Sequence, residues 1–194
     1  PCGGTIFLLI RAADDISAKQ RLQKEIIDKE LFKVLREQHG DGYTSFMLNK
    51  VVPVVGDTSV PNLGISEQSV REHLWETLHV IVNTAANTNF DERYDIALGV
   101  NTIGVTNVLY FGKRCRKLQV FVHVSTAYVS GEKGGVIPEK ALQMGETLVD
   151  ETQLTLDIKT ELTLVKRTAE LIENSTDPMA KSLTKHMKEL GLER

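Results

Sequence analysis

Four short apolar runs punctuate the chain: Thr5-Ile-Phe-Leu-Leu-Ile10, Val51-Val-Pro-Val-Val55, His79-Val-Ile-Val-Asn83 and Gln119-Val-Phe-Val-His-Val-Ser125. They are rich in branched residues and are not polar at alternate positions, the pattern of parallel strands buried on both faces. Helical periodicity fills the intervals. Ser17-x-x-Gln20 reads as a capping box, and Leu22, Ile26, Leu31, Val34 and Leu35 continue it as a broad apolar stripe ending near His39-Gly40. A second helix fits residues 66–76, with Val70 and Leu74 one turn apart. A longer one fits residues 91–115, with Ile96, Val100, Ile103 and Phe111 near helical spacing. This alternation predicts the right-handed crossover units of a doubly wound, mostly parallel α/β sheet. Pro53 cannot donate to a ladder, so residues 51–55 are expected at a sheet edge.

After Ser125 the pattern changes. Gly131, Gly134 and Gly135 mark a loop, and residues 152–173 and 178–190 read as amphipathic helices. The expected organisation is therefore a sheet domain over 1–130 followed by a loop and helical segment over 131–194. With 41% hydrophobic residues, the 194-residue chain is globular rather than disordered. Its 23 basic and 26 acidic residues nearly cancel, so no overall field draws it onto nucleic acid or anionic lipid. Cys2 and Cys115 are too far apart for a metal clip and too few for a disulfide framework, which suits reduced thiols in a cytosolic-type compartment. The five histidines form no pair at metal-binding spacing, so no metal is expected. No apolar run approaches the ~18 residues of a membrane span. The chain opens Pro1-Cys2-Gly3-Gly4 without an initiating Met and runs at once into a strand, which reads as a start inside a larger fold.

Ligands of open α/β sheets sit beyond the carboxyl ends of the strands, so the residues after each run matter most. Arg11 could grip an adenosine 2'-phosphate with its planar guanidinium, or be an ordinary surface arginine. Gly56-Asp57 pairs a backbone able to approach a ligand with a carboxylate able to accept from an adenine amino group or to cap a turn. Thr84, Ala85 and Ala86 are small enough to let backbone lie against a flat cofactor, and equally small enough simply to fit a tight turn. Ser125 and Thr126 could donate to a carbonyl becoming an oxyanion, although adjacent strand residues face opposite ways and only one should do so. Either hydroxyl could instead bond its own backbone in a turn. Ser125 lies in no Gly-x-Ser-x-Gly elbow. The cluster Lys113-Arg-Cys-Arg-Lys117 fits a solvated helix C-terminus.

Jointly these segments carry a resemblance. Leu8-Leu-Ile-Arg11-Ala12, Gly56-Asp57, Asn83-Thr-Ala-Ala-Asn-Thr-Asn-Phe90 with Asn101-Thr-Ile-Gly104, and Val122-His-Val-Ser-Thr-Ala-Tyr-Val-Ser-Gly-Glu-Lys133 with Met144-Gly-Glu-Thr147 resemble the alcohol-forming fatty acyl-CoA reductases. The plant, male-sterility-type branch is the nearest in pattern, within the extended short-chain dehydrogenase/reductase superfamily. The resemblance implies a Rossmann-like fold, NADPH as cofactor and long-chain acyl-CoA as substrate, reduced through the aldehyde to a primary alcohol. It implies that Arg11 binds the 2'-phosphate, that Gly56 and Asp57 lie at the adenine end, and that Thr84, Ala85 and Ala86 line the nucleotide. Asn101 matches a structural or proton-relay asparagine, and Thr126, with Ser125 as alternate, the active-site hydroxyl. A cytoplasmic or peripheral endoplasmic-reticulum location follows, with the plastid left open.

Two departures accompany it. The family's Gly-x-x-Gly-x-x-Gly turn and its Tyr-x-x-x-Lys pair are both absent from this sequence. An internal fragment is therefore expected, its sheet lacking the first, central strand, and this chain alone is expected to yield no measurable alcohol. The rivals are another extended reductase, such as an epimerase or carboxylic acid reductase domain, and an inactive reductase-like binding protein. With the central strand missing, the first and third runs are expected to close up and pair directly.

Overall fold

The computed structural model describes residues 4–131, 134–141, 143, 157–174 and 182–193. Strand β1 (Ile6–Ile10) pairs in parallel with β2 (Val51–Val55), Leu8 opposite Pro53. Pro53 is tolerated because, among the described residues, β2 has no strand on its other side. Strands β3 (Val80–Asn83) and β4 (Val120–His123) form a second pair. His79 O accepts from Gln119 N and Asn83 O from Val124 N, so the numbers rise together and this pair is parallel too.

The expected closure does not occur: β1 and β3 belong to separate two-stranded sheets. Phe7 and Leu9 of β1 and Ile81 of β3 rest on one cluster that includes Leu74, Val108 and Phe111, so the two strands share a core without sharing a ladder. Nor are all strands covered on both faces. Val80, Val82, Val120 and Val122 are exposed, so one side of the β3–β4 pair is open.

Helix α1 (Asp15–Leu22) begins earlier than the expected Ser17. Asp14 is the cap: its carboxylate accepts from Ser17 N at 2.7 Å while Ser17 Oγ accepts from Asp14 N at 3.1 Å, a capping box with Ser17 at its third position. The stripe from Leu22 to Leu35 is not one helix. A wide turn (Gln23–Ile27) and extended Lys29 break it before a 3₁₀ turn and α2 (Lys33–His39). Helix α3 (Tyr43–Lys50), unforeseen in the sequence, folds back so that Tyr43 donates to Ile27 O at 2.8 Å. Ile10, Ala18, Leu22, Ile27, Tyr43 and Met47 form the core beneath it.

Helix α4 (Gln68–Thr77) matches its expectation closely. The stretch 91–115 becomes α5 (Tyr94–Leu98), a wide turn (Gly99–Ile103) and α6 (Gly104–Arg114). Helices α7 (Ile158–Glu173) and α8 (Leu183–Glu193) follow, α7 capped by Asp157 on Thr160 N at 2.7 Å. The earlier parts expected for both helices, 152–156 and 178–181, lie outside the described residues. The chain divides into two compact units that interleave in sequence: Pro1–Ile81 with Ile103–Val122, and Val82–Thr102 with His123–Arg194.

Candidate functional site

Arg11, Gly56 and Asp57 lie in the first unit. Arg11 follows β1, and its backbone is fixed because Arg21 Nη1 donates to Arg11 O at 2.6 Å, while Arg21 also forks onto Glu25. The Arg11 guanidinium itself is exposed. Gly56 extends the β1–β2 ladder by donating to Ile10 O at 3.1 Å. A Cβ there would stand 2.4 Å from Leu63 O and 2.5 Å from Leu9 Cδ1. What approaches this glycine closely is the protein itself.

Asp57 N donates to Leu63 O at 2.7 Å, and its Oδ1 accepts from Ser59 N and Ser59 Oγ at 2.8 and 2.7 Å. One carboxylate oxygen is thus used to cap a turn. Beyond it, Asn62, Leu63 and Gly64 are left-handed, at φ 54°, 60° and 62°. Asn107 Nδ2 holds the loop from α6 by donating to Thr58 O at 2.8 Å. Basic residues at the end of α6 and just beyond it also serve structure: Arg114 stacks 3.5 Å over the Trp75 ring and Arg116 pairs with Glu76. A cavity of about 520 Å³ opens in this unit, bordered by Phe7, Lys19, Pro53 and His73, and none of the expected site residues lines it.

Thr84, Ala85, Ala86, Asn101, Ser125 and Thr126 lie in the second unit. Their scaffold includes a residue that pattern alone did not single out. Asn83, only 4% exposed, accepts from Ala85 N through Oδ1 and meets His123 Nδ1 through Nδ2, both at 3.3 Å. Its neighbours Thr84, Ala85 and Ala86 are exposed. Asn101, in the wide turn between α5 and α6, clamps the next segment reciprocally: Oδ1 accepts from Asn87 N at 2.8 Å and Nδ2 donates to Asn87 O at 3.0 Å. Wide turns of this kind recur at functional positions. Asn87 and Asn89 then each accept from the backbone two residues on. Nearby, the Arg93 backbone N–H, helped by the Asn87 carboxamide, holds the Glu92 carboxyl below its usual range.

Both hydroxyl residues after β4 are exposed. Thr126 caps the short helical turn Ala127–Ser130, its Oγ1 accepting from Tyr128 N at 3.3 Å. That bond uses a lone pair, so the hydroxyl proton stays available to an outside acceptor. A second cavity, about 270 Å³, is bordered by Asn101, Tyr94 and Glu161. There Tyr94 OH donates at 2.8 Å to Glu161, which is 3% exposed. Glu132, Lys133 and the 144–147 motif lie outside the described residues. The second unit therefore presents an outward hydroxyl donor, small exposed residues after a parallel strand and an asparagine fastening the intervening chain, an arrangement suited to addressing a carbonyl.

The family described as Male sterility protein matches residues 1–190. "Probable fatty acyl-CoA reductase 4" of Arabidopsis thaliana is 46% identical over 190 residues, 97% of this chain and 38% of that protein. "Alcohol-forming fatty acyl-CoA reductase" of Simmondsia chinensis is 46% identical over 189 residues, with the same coverage. "Fatty acyl-CoA reductase 2, chloroplastic" of Arabidopsis thaliana is 43% identical, over 97% of this chain and 30% of that one. The chain thus spans well under half the length of these relatives. Among solved structures, the reductase domain of a nonribosomal peptide synthetase from Mycobacterium tuberculosis superposes with a TM-score of 0.51 at 30% identity, covering 68% of this chain and 29% of that one. The terminal R domain of the myxalamid pathway gives 0.55 at 22% identity, over 76% and 35%, a likeness of fold alone. With parallel strands, helical crossovers and these matches, the architecture is α/β of Rossmann type, and the chain belongs to the Male sterility protein family, that of the plant fatty acyl-CoA reductases.

Proposed function

We propose that this chain is part of an NADPH-dependent reductase that converts long-chain fatty acyl-CoA to primary alcohol. The carrying observation is the Thr126 hydroxyl, exposed after parallel strand β4 with its proton free to donate. The residues fit a dinucleotide in kind: Arg11 offers an exposed guanidinium after β1, and Ala85 and Ala86 offer exposed small surface after β3. NADPH, when bound, supplies hydride. Thr126, with Ser125 as alternate, would donate to the thioester oxygen as it gains charge, a contribution confined to the transition state. Collapse of the adduct would break the carbon–sulfur bond and release CoA thiolate, and reduction of the aldehyde to the alcohol at the same hydroxyl would take hydride from a second NADPH and a proton from solvent.

Arg11 would select NADPH by gripping the 2'-phosphate bidentately, Gly56 and Asp57 would stand at the adenine end, and Thr84 beside Ala85 and Ala86. Asn101 is read as a positioning residue, since both polar ends of its side chain hold Asn87. In this reading residues 1–130 are a partial cofactor domain whose sheet lacks a strand beside β1, and 131–194 the substrate side. No helix of the described residues is long and apolar enough to cross a membrane. The cytoplasm or the endoplasmic-reticulum surface is the proposed location, with the plastid as the alternative.

The test is equilibrium binding of NADPH and NADH to the wild-type chain and Arg11→Ala. Tighter NADPH binding, with the preference lost in the variant, supports the reading. Equal losses for both nucleotides would make Arg11 a bystander, and no binding of either would remove the cofactor assignment. Turnover is a separate matter. The sequence holds no Tyr-x-x-x-Lys pair, and a general acid contributes about 10²- to 10⁴-fold, so this chain alone should yield no measurable alcohol from acyl-CoA and NADPH.

A further inference from the structure

Two of the most exposed large side chains in the second unit touch each other. Phe90 is 83% exposed and Tyr128 is 74% exposed, yet their rings meet edge to face with centroids 5.2 Å apart. They come from different stretches, the one after β3 and the one after β4. Neither stretch is loose. Asn101 on Asn87 and the turn bonds of Asn87 and Asn89 fix the chain on either side of Phe90. Thr126 Oγ1 accepts from Tyr128 N, and Gly131 N donates to Tyr128 O, fixing the other ring's backbone. Two aromatic rings held against each other in water by fixed backbone suit a contact site.

We propose that Phe90 and Tyr128 form an aromatic wall that receives the first methylenes of the fatty acyl chain, next to the thioester carbonyl addressed by Thr126. This rests on the acyl-CoA reading above and adds the residues that would favour acyl chains longer than acetyl. The shape suits this occupant: rings at 78° to each other make an apolar corner that a flexible methylene chain can follow. Continuity with the reacting end decides the place. Tyr128 is two residues from Thr126 and donates to its hydroxyl, so one turn sets both the donor and the wall.

The test measures equilibrium binding of acetyl-CoA, octanoyl-CoA and palmitoyl-CoA, below micelle-forming concentrations, and of NADPH. Wild type, Phe90→Ala, Tyr128→Ala and the double variant are compared, with Phe90→Leu and Tyr128→Leu retaining apolar bulk. Both rings are exposed, so the variants should keep the wild-type unfolding midpoint, and the Leu variants carry the test if an Ala variant does not fold. Wild type should bind palmitoyl-CoA more tightly than acetyl-CoA. Each Ala variant should weaken palmitoyl-CoA about tenfold, the Leu variants less, and acetyl-CoA and NADPH should not change. Because the rings touch, the double variant should lose less than the two single losses combined.

Unchanged palmitoyl-CoA binding in all variants would overturn the wall. A parallel loss of acetyl-CoA would move the rings to the CoA moiety, and a loss of NADPH would move them to the cofactor, each overturning it also. Absence of acyl-CoA binding by the wild type is recognisable before any substitution, and would fell the substrate reading and this inference with it.

Discussion

The turn after β2 and the turn after β4 both leave the carboxyl end of a parallel strand, yet they are built in opposite ways. After β2 the chain is packed inward: Gly56 is pressed between Leu63 and Leu9, Asp57 binds Ser59 and Leu63, and Asn107 ties Thr58 to α6. After β4, residues 124–129 are exposed, and Thr126 gives one cap bond at 3.3 Å. Motif residues of the first turn are occupied by the fold, whereas those of the second keep donors and ring surfaces facing out. Substitution in the first should therefore act on stability and in the second on ligands.

The most severe way to break the first turn is Gly56→Ala. Its new methyl meets backbone at 2.4 Å, where nothing flexible can yield, so we expect a loss of about 3 kcal/mol or more in urea unfolding. A loss below about 1 kcal/mol would show that this turn is not packed as described. Asn101 is the intermediate case. Asn101→Ala removes both bonds to Asn87 and should cost about 1–2 kcal/mol, with Asn101→Asp recovering part because it can still accept from Asn87 N. Equal damage from both variants would make the donated bond to Asn87 O the important one.

At the second turn, Thr126→Ala should cost only about 0.5–1 kcal/mol of stability through the lost cap. In a longer relative competent for turnover, the matching change should slow acyl-CoA reduction about 10²- to 10³-fold. A large stability loss with normal turnover would reverse the contrast between the two turns.

The smallest expected effect sharpens the comparison by supplying a helix cap with no ligand role. The Ser17 backbone N–H, reinforced by its hydroxyl, holds the Asp14 carboxyl below its usual range, and the Thr160 backbone N–H and hydroxyl do the same for Asp157. With folded values below unfolded ones, this stabilisation is present above the ordinary carboxylate pKa near 3.8 and is lost as pH falls through the lowered folded values. Melting temperature should therefore be flat from neutral pH to about pH 5 and fall below about pH 4. Asp14→Asn, which keeps an acceptor without the charge, should make that acid-side fall shallower.

Much of the fold was legible because its signals are local. Runs of branched apolar residues identified all four strands, and the spacing of Val70 and Leu74 identified α4 within two residues. Helix boundaries were less legible because caps compete. Ser17 with Gln20 and Asp14 with Ser17 are both plausible boxes in the letters, and only the backbone conformation at Asp14 chose the second. Helix α3 was missed since Tyr43 and Met47 show a stripe too short to stand out beside Gly40 and Gly42.

For the site, what the sequence by itself determined is the resemblance to the family, which the letters around Arg11, the Gly56-Asp57 pair, Asn101 and the Ser125-Thr126 hydroxyls carry because it rests on residue type and neighbouring positions. The tertiary structure decided which strands pair, β1 with β2 and β3 with β4, because ladder partners are chosen between segments far apart in the chain even where, as at Phe7, Leu9 and Ile81, the strands rest on one cluster. It also decided that Asn101 holds Asn87, that Asn83 is buried against His123, and that Phe90 meets Tyr128. Those contacts join residues far apart in the chain, and a hydrogen bond or ring contact over such a separation is set by packing that no local pattern encodes.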